Sequence, residues 1–183
     1  MENLEIEYKV MVNGIDFFYL QEKLKEYKPK MFIQENIYYD TVLLQVKNNN
    51  LSLRVRHIKN QNKYIVTLKE KLEEGRKEYE FEVSSPKDFP QEIIDKLQEY
   101  GVDHNCLEET SRLTTYRNEY YINDSVLCLD ENHYYGKVDY EIECESTSLR
   151  KAKRIIENTL NKYRIAFQES TLSKVARANK YKK

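Results

Sequence analysis

Five segments of this chain alternate apolar and charged residues with a period of two, which is the pattern of β-strands with one apolar face and one polar face. The segments are Glu5 to Lys9, Leu51 to Arg56, Tyr64 to Lys71, Arg76 to Val83 and Lys137 to Glu145. Several polar faces carry neighbouring charges of one sign, such as Arg54 and Arg56, and such charges are tolerated best with an opposite ion between them. If these strands close into a barrel, their charged faces point inward around a ligand, and their apolar faces lie outward beneath helices.

Taken alone, each of these segments also fits an ordinary solvated strand. The run Glu5-Ile6-Glu7-Tyr8-Lys9 places two carboxylates and an ammonium on one face. A pair of carboxylates holds hard divalent cations, and a neighbouring lysine attracts the anion that accompanies them. The solvent face of an amphipathic strand has the same appearance, so this motif acquires weight only from its repetition along the chain.

Four further segments have helical spacing, and we expect their apolar stripes to pack on the sheet. They run over Gly14 to Tyr27, Pro90 to Tyr100, from Ser148 to Tyr163, and Ser170 to Lys180. The first stripe includes Ile15 and Phe18. In the last segment, Lys174 is a candidate for the charged interior, whereas Arg177 fits a solvated basic face. Strands and helices together predict an α+β fold.

The length and composition of the chain limit the functions that it can have. A chain of 183 residues is expected to form one domain, residues 1–183. With 33% charged residues and a net charge of −1, no global field favours nucleic acid or an anionic membrane. Three cysteines without a CxxC spacing, no signal peptide and no long apolar run predict a cytoplasmic protein that does not bind membranes. Four glycines cannot form a Gly-rich phosphate loop, so side chains would have to recognise any phosphate.

In their order along the chain, these motifs resemble the CYTH domains, also called triphosphate tunnel metalloenzymes, over nearly the full length. The matching pieces are Glu5-Ile6-Glu7-Tyr8-Lys9 for the ExExK signature, Leu53 to Arg56, Thr67 to Lys69, Glu78 to Glu80, Leu113 to Arg117, Asp130, and Glu141 to Glu143. The resemblance implies a closed antiparallel β-barrel of about eight strands that forms a tunnel, with helices outside. One departure is Tyr116, where several relatives have lysine, which implies a less basic wall at that point.

The resemblance also assigns roles to residues of this chain. Substrate phosphates would be bound by the cationic set Lys9, Arg54, Arg56, Lys69, Arg117 and Lys174. One or two Mg²⁺ or Mn²⁺ ions would be held by the acidic set Glu5, Glu7, Glu78, Glu80, Asp130, Glu141 and Glu143. The residues expected to carry catalysis are Glu5, Glu7, Lys9, Arg56 and Glu143.

The activity that follows is metal-dependent hydrolysis of inorganic triphosphate or a nucleoside triphosphate by in-line attack of water. One alternative is a class IV type adenylate cyclase, although no His-Phe pair follows the ExExK run and no adenine pocket can be identified. A second alternative is a non-catalytic module that binds polyphosphate or a nucleotide. A nucleic-acid-binding barrel is disfavoured by the net charge, although a tunnel of this kind admits the 5′ triphosphate end of an RNA. The sequence leaves the oligomeric state open.

Overall fold

The computed structural model describes residues 2–59, 61, 63–73 and 75–182. Ten strands form one sheet: β1 (Glu2–Glu5), β2 (Glu7–Val12), β3 (Lys30–Asp40), β4 (Leu51–Ile58), β5 (Lys63–Lys71), β6 (Arg76–Val83), β7 (Glu108–Ile122), β8 (Ser125–Tyr134), β9 (Lys137–Glu145) and β10 (Gln168–Glu169). Five α-helices accompany it: α1 (Gly14–Leu24), α2 (Gln45–Asn48), α3 (Gln91–Glu99), α4 (Leu149–Lys162) and α5 (Lys174–Asn179). Short 3₁₀ turns at Lys25–Tyr27 and His104–Cys106 complete the secondary structure.

The sheet is antiparallel and curls until its two ends approach each other. Its strand order is β1-β6-β5-β4-β3-β7-β8-β9-β2-β10. Only Ile6 separates β1 from β2 in the chain, so one N-terminal segment pairs with β6 through its first half and with β9 through its second half. The amide of Ser146, just after β9, also donates to the carbonyl of Ile6. The predicted α+β fold with an antiparallel sheet and helices outside is therefore confirmed, with ten strands in the described part of the chain instead of about eight. Closure of the sheet into a barrel stays a prediction.

The two faces of the sheet are separated by the period-two alternation of the strands. The apolar faces lie outward beneath helices, where two main cores form. In one core, Phe17 and Leu20 of α1 and Ile156 of α4 cover β2, β7, β8 and β9. In the other, Ile93 and Leu97 of α3 cover β4 and β5. Because the apolar side chains of these strands pack against the helices outside, the charged side chains on the opposite face point into the curled sheet.

Four of the helices agree with the predicted segments, but two details differ. Asn13, Ser148 and Ser173 accept hydrogen bonds from backbone amides at the first turns of α1, α4 and α5, as helix N-caps do. The expected stripe of α1 is wrong at Ile15 and Phe18, which are exposed, because Phe17 occupies the core. The short helix α2 was not predicted, since four residues are too few for a periodic signal.

No helix among the described residues has the length and apolarity needed to cross a membrane. The expectation of one domain over residues 1–183 stays a prediction, and its end points Met1 and Lys183 lie outside the described residues.

Candidate functional site

A charged cavity of about 240 Å³ lies inside the curl of the sheet. Among the described residues, seven carboxylates line it: Glu5, Glu7, Glu78, Glu80, Glu119, Glu143 and Glu145. Seven cations line it as well: Lys9, Arg54, Arg56, Lys69, Arg76, Arg117 and Lys174. These side chains come from β1, β2, β4, β5, β6, β7, β9 and α5, so distant parts of the chain converge on one enclosed space. The formal charges of these described lining residues cancel.

The structure brings together nearly all of the residues that the sequence singled out. Every residue in the predicted substrate-binding, metal-binding and catalytic sets lines the cavity except Asp130 and Glu141. Those two are fully buried behind the wall, where they contact Lys174. The geometry thus supports an enclosed site, whereas the individual roles of these residues stay predictions.

The N-terminal carboxylates are held by lysines. Both oxygens of Glu5 accept from the Nζ of Lys69 at 2.8 Å. Glu7 accepts from Lys9 at 2.5 Å and lies 3.5 Å from Arg76. Burial lowers the pKa of Lys9, but the charges of Glu143 and Glu7 outweigh this effect and raise it above its ordinary value. Each anion on this side of the cavity therefore has a cationic partner.

A cluster of three buried carboxylates surrounds the ammonium of Lys174. The Nζ atom lies 2.9 Å from Asp130, 2.6 Å from Glu141 and 2.5 Å from Glu143. Arg117 adds two hydrogen bonds to Asp130, at 2.8 and 2.7 Å, and one to Glu143 at 2.5 Å. Burial opposes ionisation of Glu143, but Lys174, Lys9 and Arg117 hold its pKa well below the ordinary range. Asp130 and Glu143 likewise hold the pKa of Arg117 above its usual value despite burial.

Strand β6 contributes carboxylates that fix cations of neighbouring strands. Glu78 forms an ion pair with Lys69, and Glu80 accepts a hydrogen bond from Thr67 at 2.9 Å. The guanidinium of Arg54 lies 4.0 Å from Glu80. Glu82, the next residue on this face, pairs with Lys63 outside the cavity and is largely exposed. The register therefore brings Glu80 to the cavity and leaves Glu82 in solvent.

The two inward-facing arginines of β4 differ in how well carboxylates compensate their charge: Arg54 lies near Glu80, whereas Arg56 has no such partner among the described residues. Arg54 keeps its Nε atom buried without a hydrogen-bond partner. Arg56 donates to the side-chain oxygen of Asn36 at 3.1 Å, and among the described residues no carboxylate forms an ion pair with it. Burial, followed by the charges of Arg54 and Arg117, lowers the pKa of Arg56 to about 10. A guanidinium group without an ion-pair partner, such as that of Arg56, is suited to binding an external anion.

The structure adds Arg76, Glu119 and Glu145 to the predicted site. Glu145 lies opposite Glu7 in the pairing of β2 with β9, which places two like charges side by side. Burial, followed by the charge of Glu5, raises the pKa of Glu145 to about 7. All three added residues extend alternations visible in the sequence, Arg76-x-Glu78, Arg117-x-Glu119 and Glu143-x-Glu145, and that signal was sufficient to find them.

Two predictions about single residues are wrong for reasons of side-chain direction. Tyr116 lies on the outer face of β7, where it is nearly half exposed and contacts the ring of His133. It therefore does not make the wall of the cavity less basic. Its neighbours Thr115 and Arg117 point inward. Arg177, expected on a solvated face, instead pairs with Asp139 and Glu141.

The donor set fits a hard divalent cation. Oxygen ligands are what Mg²⁺ and Mn²⁺ prefer. Ligand atoms of Asp130, Glu141 and Glu143 lie within 4.8 Å of one another, but the ammonium of Lys174 fills the space between them. The facing carboxylates Glu7 and Glu145 offer oxygens directly to the cavity.

Comparisons with known proteins agree with this geometry. The model of the CYTH domain family matches residues 3–178. A relative from Bacillus subtilis, named "Putative triphosphatase YjbK", is 28% identical over 182 residues, which cover 96% of this chain and 94% of the relative.

Two solved structures are similar over the whole chain. The first is described as a "putative adenylate cyclase" from Bacillus halodurans, with 29% identity and a TM-score of 0.84 over 96% of this chain and 97% of the other. The second, HpAC1 from Hippeastrum, has 26% identity and a TM-score of 0.81 over 97% and 96% of the two chains. It is described as a "putative adenylyl cyclase" with a dominant triphosphatase activity.

Proposed function

This chain belongs to the CYTH domain family, and from that premise we propose that it is a divalent-metal-dependent triphosphatase. Its substrate would be inorganic triphosphate or a nucleoside triphosphate, hydrolysed at the terminal phosphorus by in-line attack of water. The naming of one relative as a triphosphatase, and the dominant triphosphatase activity described for HpAC1, support hydrolysis as the reaction class.

The observation that carries the proposal is that seven carboxylates and seven cations of the described residues line one enclosed cavity. Removing a charged ligand from water is costly, so a cavity with no net charge is best matched to a ligand that is itself nearly neutral. A triphosphate carries roughly four negative charges near neutral pH, and this charge must be compensated when the surrounding water is lost. Divalent cations bound together with the triphosphate would supply that compensation. A site for a bare anion would instead show an excess of lysine and arginine.

Within the cavity, the phosphate chain would lie against β4, the strand that carries the poorly compensated Arg56. Arg54 and Arg56 offer planar guanidinium forks to phosphate oxygens, with Arg117 on the opposite side of β3. Lys9, Lys69 and Lys174 act as point charges. Phosphoryl transfer depends mainly on such fixed charges, and side chains anchored on strands are held with little freedom to move.

The metal would be held by Glu5, Glu7 and Glu143, with Glu145 added from the structure. Bound there, a divalent ion would neutralise phosphate oxygens and lower the pKa of an attacking water. Glu78 and Glu80 hold Lys69 and Arg54, while Asp130 and Glu141 hold Lys174 in place. We therefore assign these four carboxylates chiefly to the positioning of cations.

A second cavity of about 500 Å³ favours keeping nucleoside triphosphates among the substrates. It shares residues with the charged cavity, namely Tyr38, Ser52, Lys69, Arg76, Ser173 and Val175, and apolar side chains such as Leu44 and Leu53 line part of the rest. An organic group attached to the phosphate chain fits such a lining. A 5′ triphosphate end of RNA would use the same opening.

A phosphate-release panel tests the proposal. Purified protein is incubated with triphosphate, longer polyphosphates, ATP and pyrophosphate in Mg²⁺, Mn²⁺ or Ca²⁺, and the products are separated. Orthophosphate from a triphosphate in Mg²⁺ or Mn²⁺ is expected. Cyclic AMP from ATP would indicate the cyclase, and tight binding without any product would indicate a binding module.

A further inference from the structure

Arg177 of α5 is a buried cation that the proposed reaction does not use directly. We propose that Arg177 is a positioning residue, which locks α5 against β9 so that Lys174 presents its ammonium inside the cavity. This inference rests on the proposed function and concerns the same site. Arg177 would therefore affect triphosphate binding only by positioning Lys174.

One guanidinium holds the helix to the sheet and to the chain that precedes it. Its Nε and Nη2 atoms donate to the two oxygens of Asp139, at 2.7 and 3.2 Å. Its Nη1 atom donates to Glu141 at 2.8 Å, to the carbonyl of Leu172 at 3.0 Å and to the hydroxyl of Ser170 at 3.3 Å. A fork with this many acceptors fixes both the distance and the rotation of α5 relative to β9.

The partner of Arg177 is itself rigidly held. Asp139 accepts hydrogen bonds from the hydroxyl of Tyr134 at 2.5 Å and from the amide of Asn132 at 3.0 Å. Burial opposes ionisation of Asp139, but its bonds with Arg177 and Tyr134 outweigh this effect and lower its pKa. The fork therefore closes on a charged carboxylate whose orientation is set by β8 and β9.

Arg177 and Lys174 share Glu141 as a partner, one oxygen each. Arg177 contacts Oε1 at 2.8 Å, and Lys174 contacts Oε2 at 2.6 Å. The two cations are three residues apart on α5, so they lie on the same face of the helix. The bond from Arg177 to Oε1 therefore orients the carboxylate of Glu141 so that Oε2 faces the ammonium of Lys174.

Apart from the ion pairs of Lys174 itself, the other side-chain contacts of α5 hold it less specifically. Val175 and Ala178 pack on Tyr38, Leu113 and Tyr134 in a small apolar cluster. Apolar packing is non-directional, so it keeps a helix of six residues on the surface without defining where Lys174 points. Without the fork, α5 retains its cluster while Lys174 loses its fixed place among the carboxylates.

The test is a double-mutant cycle on triphosphate hydrolysis and binding. Arg177→Gln is expected to raise KM for inorganic triphosphate by about tenfold, which corresponds to about 1.4 kcal/mol, and to change kcat far less. In a Lys174→Gln background the same substitution should change KM less than twofold, because no ammonium remains to be positioned. Arg177→Lys, which keeps the charge but not the fork, should restore KM only in part.

Arg112→Gln is the matched control. Arg112 forms a two-bond pair with Glu109 on the exposed surface, and its loss should leave KM unchanged. If Arg177→Gln fails to fold by circular dichroism, Asp139→Asn removes the charge of the same fork and should give the same Lys174-dependent shift.

Several outcomes overturn the inference. An equal rise in KM with and without Lys174 means that Arg177 acts on the fold as a whole, and unchanged kinetics mean that it has no positioning role. If the wild type releases no phosphate, the proposed function fails, and the same cycle is then measured on triphosphate binding by calorimetry. A Lys174-dependent loss of affinity still supports the positioning role, whereas absence of binding by the wild type overturns both ideas.

Discussion

We expect the side chain of Arg56 to lower the free energy of unfolding of the ligand-free protein. When triphosphate is bound, the same side chain should raise it. The guanidinium is partly buried, lies near Arg54 and Arg117, and has one hydrogen bond, to Asn36. Its pKa of about 10 is below the ordinary arginine value because the folded protein disfavours its charge. Since the unfolded chain binds this proton more tightly, the penalty is fully present at neutral pH and is relieved only as the pH rises above about 10.

The magnitude follows from the shifted pKa. Each pKa unit corresponds to about 1.4 kcal/mol, so the difference between about 10 and the ordinary arginine value of about 12.5 is a penalty of roughly 3 kcal/mol at pH 7. Removing the hydrogen bond to Asn36 costs about 1 kcal/mol. Arg56→Gln is therefore expected to raise the free energy of unfolding of the ligand-free protein by roughly 1–2 kcal/mol.

Urea unfolding at pH 7, with and without triphosphate and Mg²⁺, measures both effects. Ligand at about 100 times its Kd stabilises the wild type by roughly 2.7 kcal/mol, and Arg56→Gln should lose most of this gain. Arg117→Gln is the contrasting variant, because it removes the partner of Asp130 and Glu143 and should cost about 3–5 kcal/mol without ligand. An Arg56→Gln protein that is less stable than the wild type, yet is stabilised equally by triphosphate, would refute this reasoning.

Three further predictions concern the acidic wall and its support. Glu7→Gln should abolish metal-dependent phosphate release with the fold retained. Glu82→Gln, which changes an exposed side chain, should keep wild-type activity. An active Glu7→Gln protein would contradict the assignment of Glu7 to metal binding and catalysis. Burial and the charge of Glu5 raise the pKa of Glu145 to about 7, so in EDTA its ionisation costs stability as the pH rises from about 4.5 through 7. Glu145→Gln should therefore stabilise the protein at pH 8 and not at pH 4.5, and thermal unfolding at both values checks this. Gly75→Ala should cost at least about 1–3 kcal/mol in urea unfolding, because Gly75 has φ +79° and an added Cβ would lie 2.5 Å from the carbonyl oxygen of Glu5; an unchanged midpoint would show that the loop adjusts freely.

The alternation in the sequence predicted five segments of the sheet and which of their side chains share a face, whereas the later site pieces around Arg117 and Asp130 came from the resemblance. Period two fixes which residues share a face, so Arg54 and Arg56, or Glu141 and Glu143, had to lie on the same side of their strands. The same rule explains the error at Tyr116, which was assigned to the wall although it is one residue from the inward-facing Arg117. Glu145 and Arg76 were also within reach, since they continue the alternations that identified their neighbours.

What the sequence determined by itself was local: which side chains share a face, which segments are helical, and that charge is concentrated on one side of each strand. Only the tertiary structure decided which charges meet. Pairing between strands brings Glu145 opposite Glu7, and the packing of α5 carries Lys174 into a cluster of carboxylates and Arg177 onto Asp139. The physical reason is that a charge pairs with whatever lies within a few ångströms after folding, and for residues far apart in the chain that distance is set by register and packing.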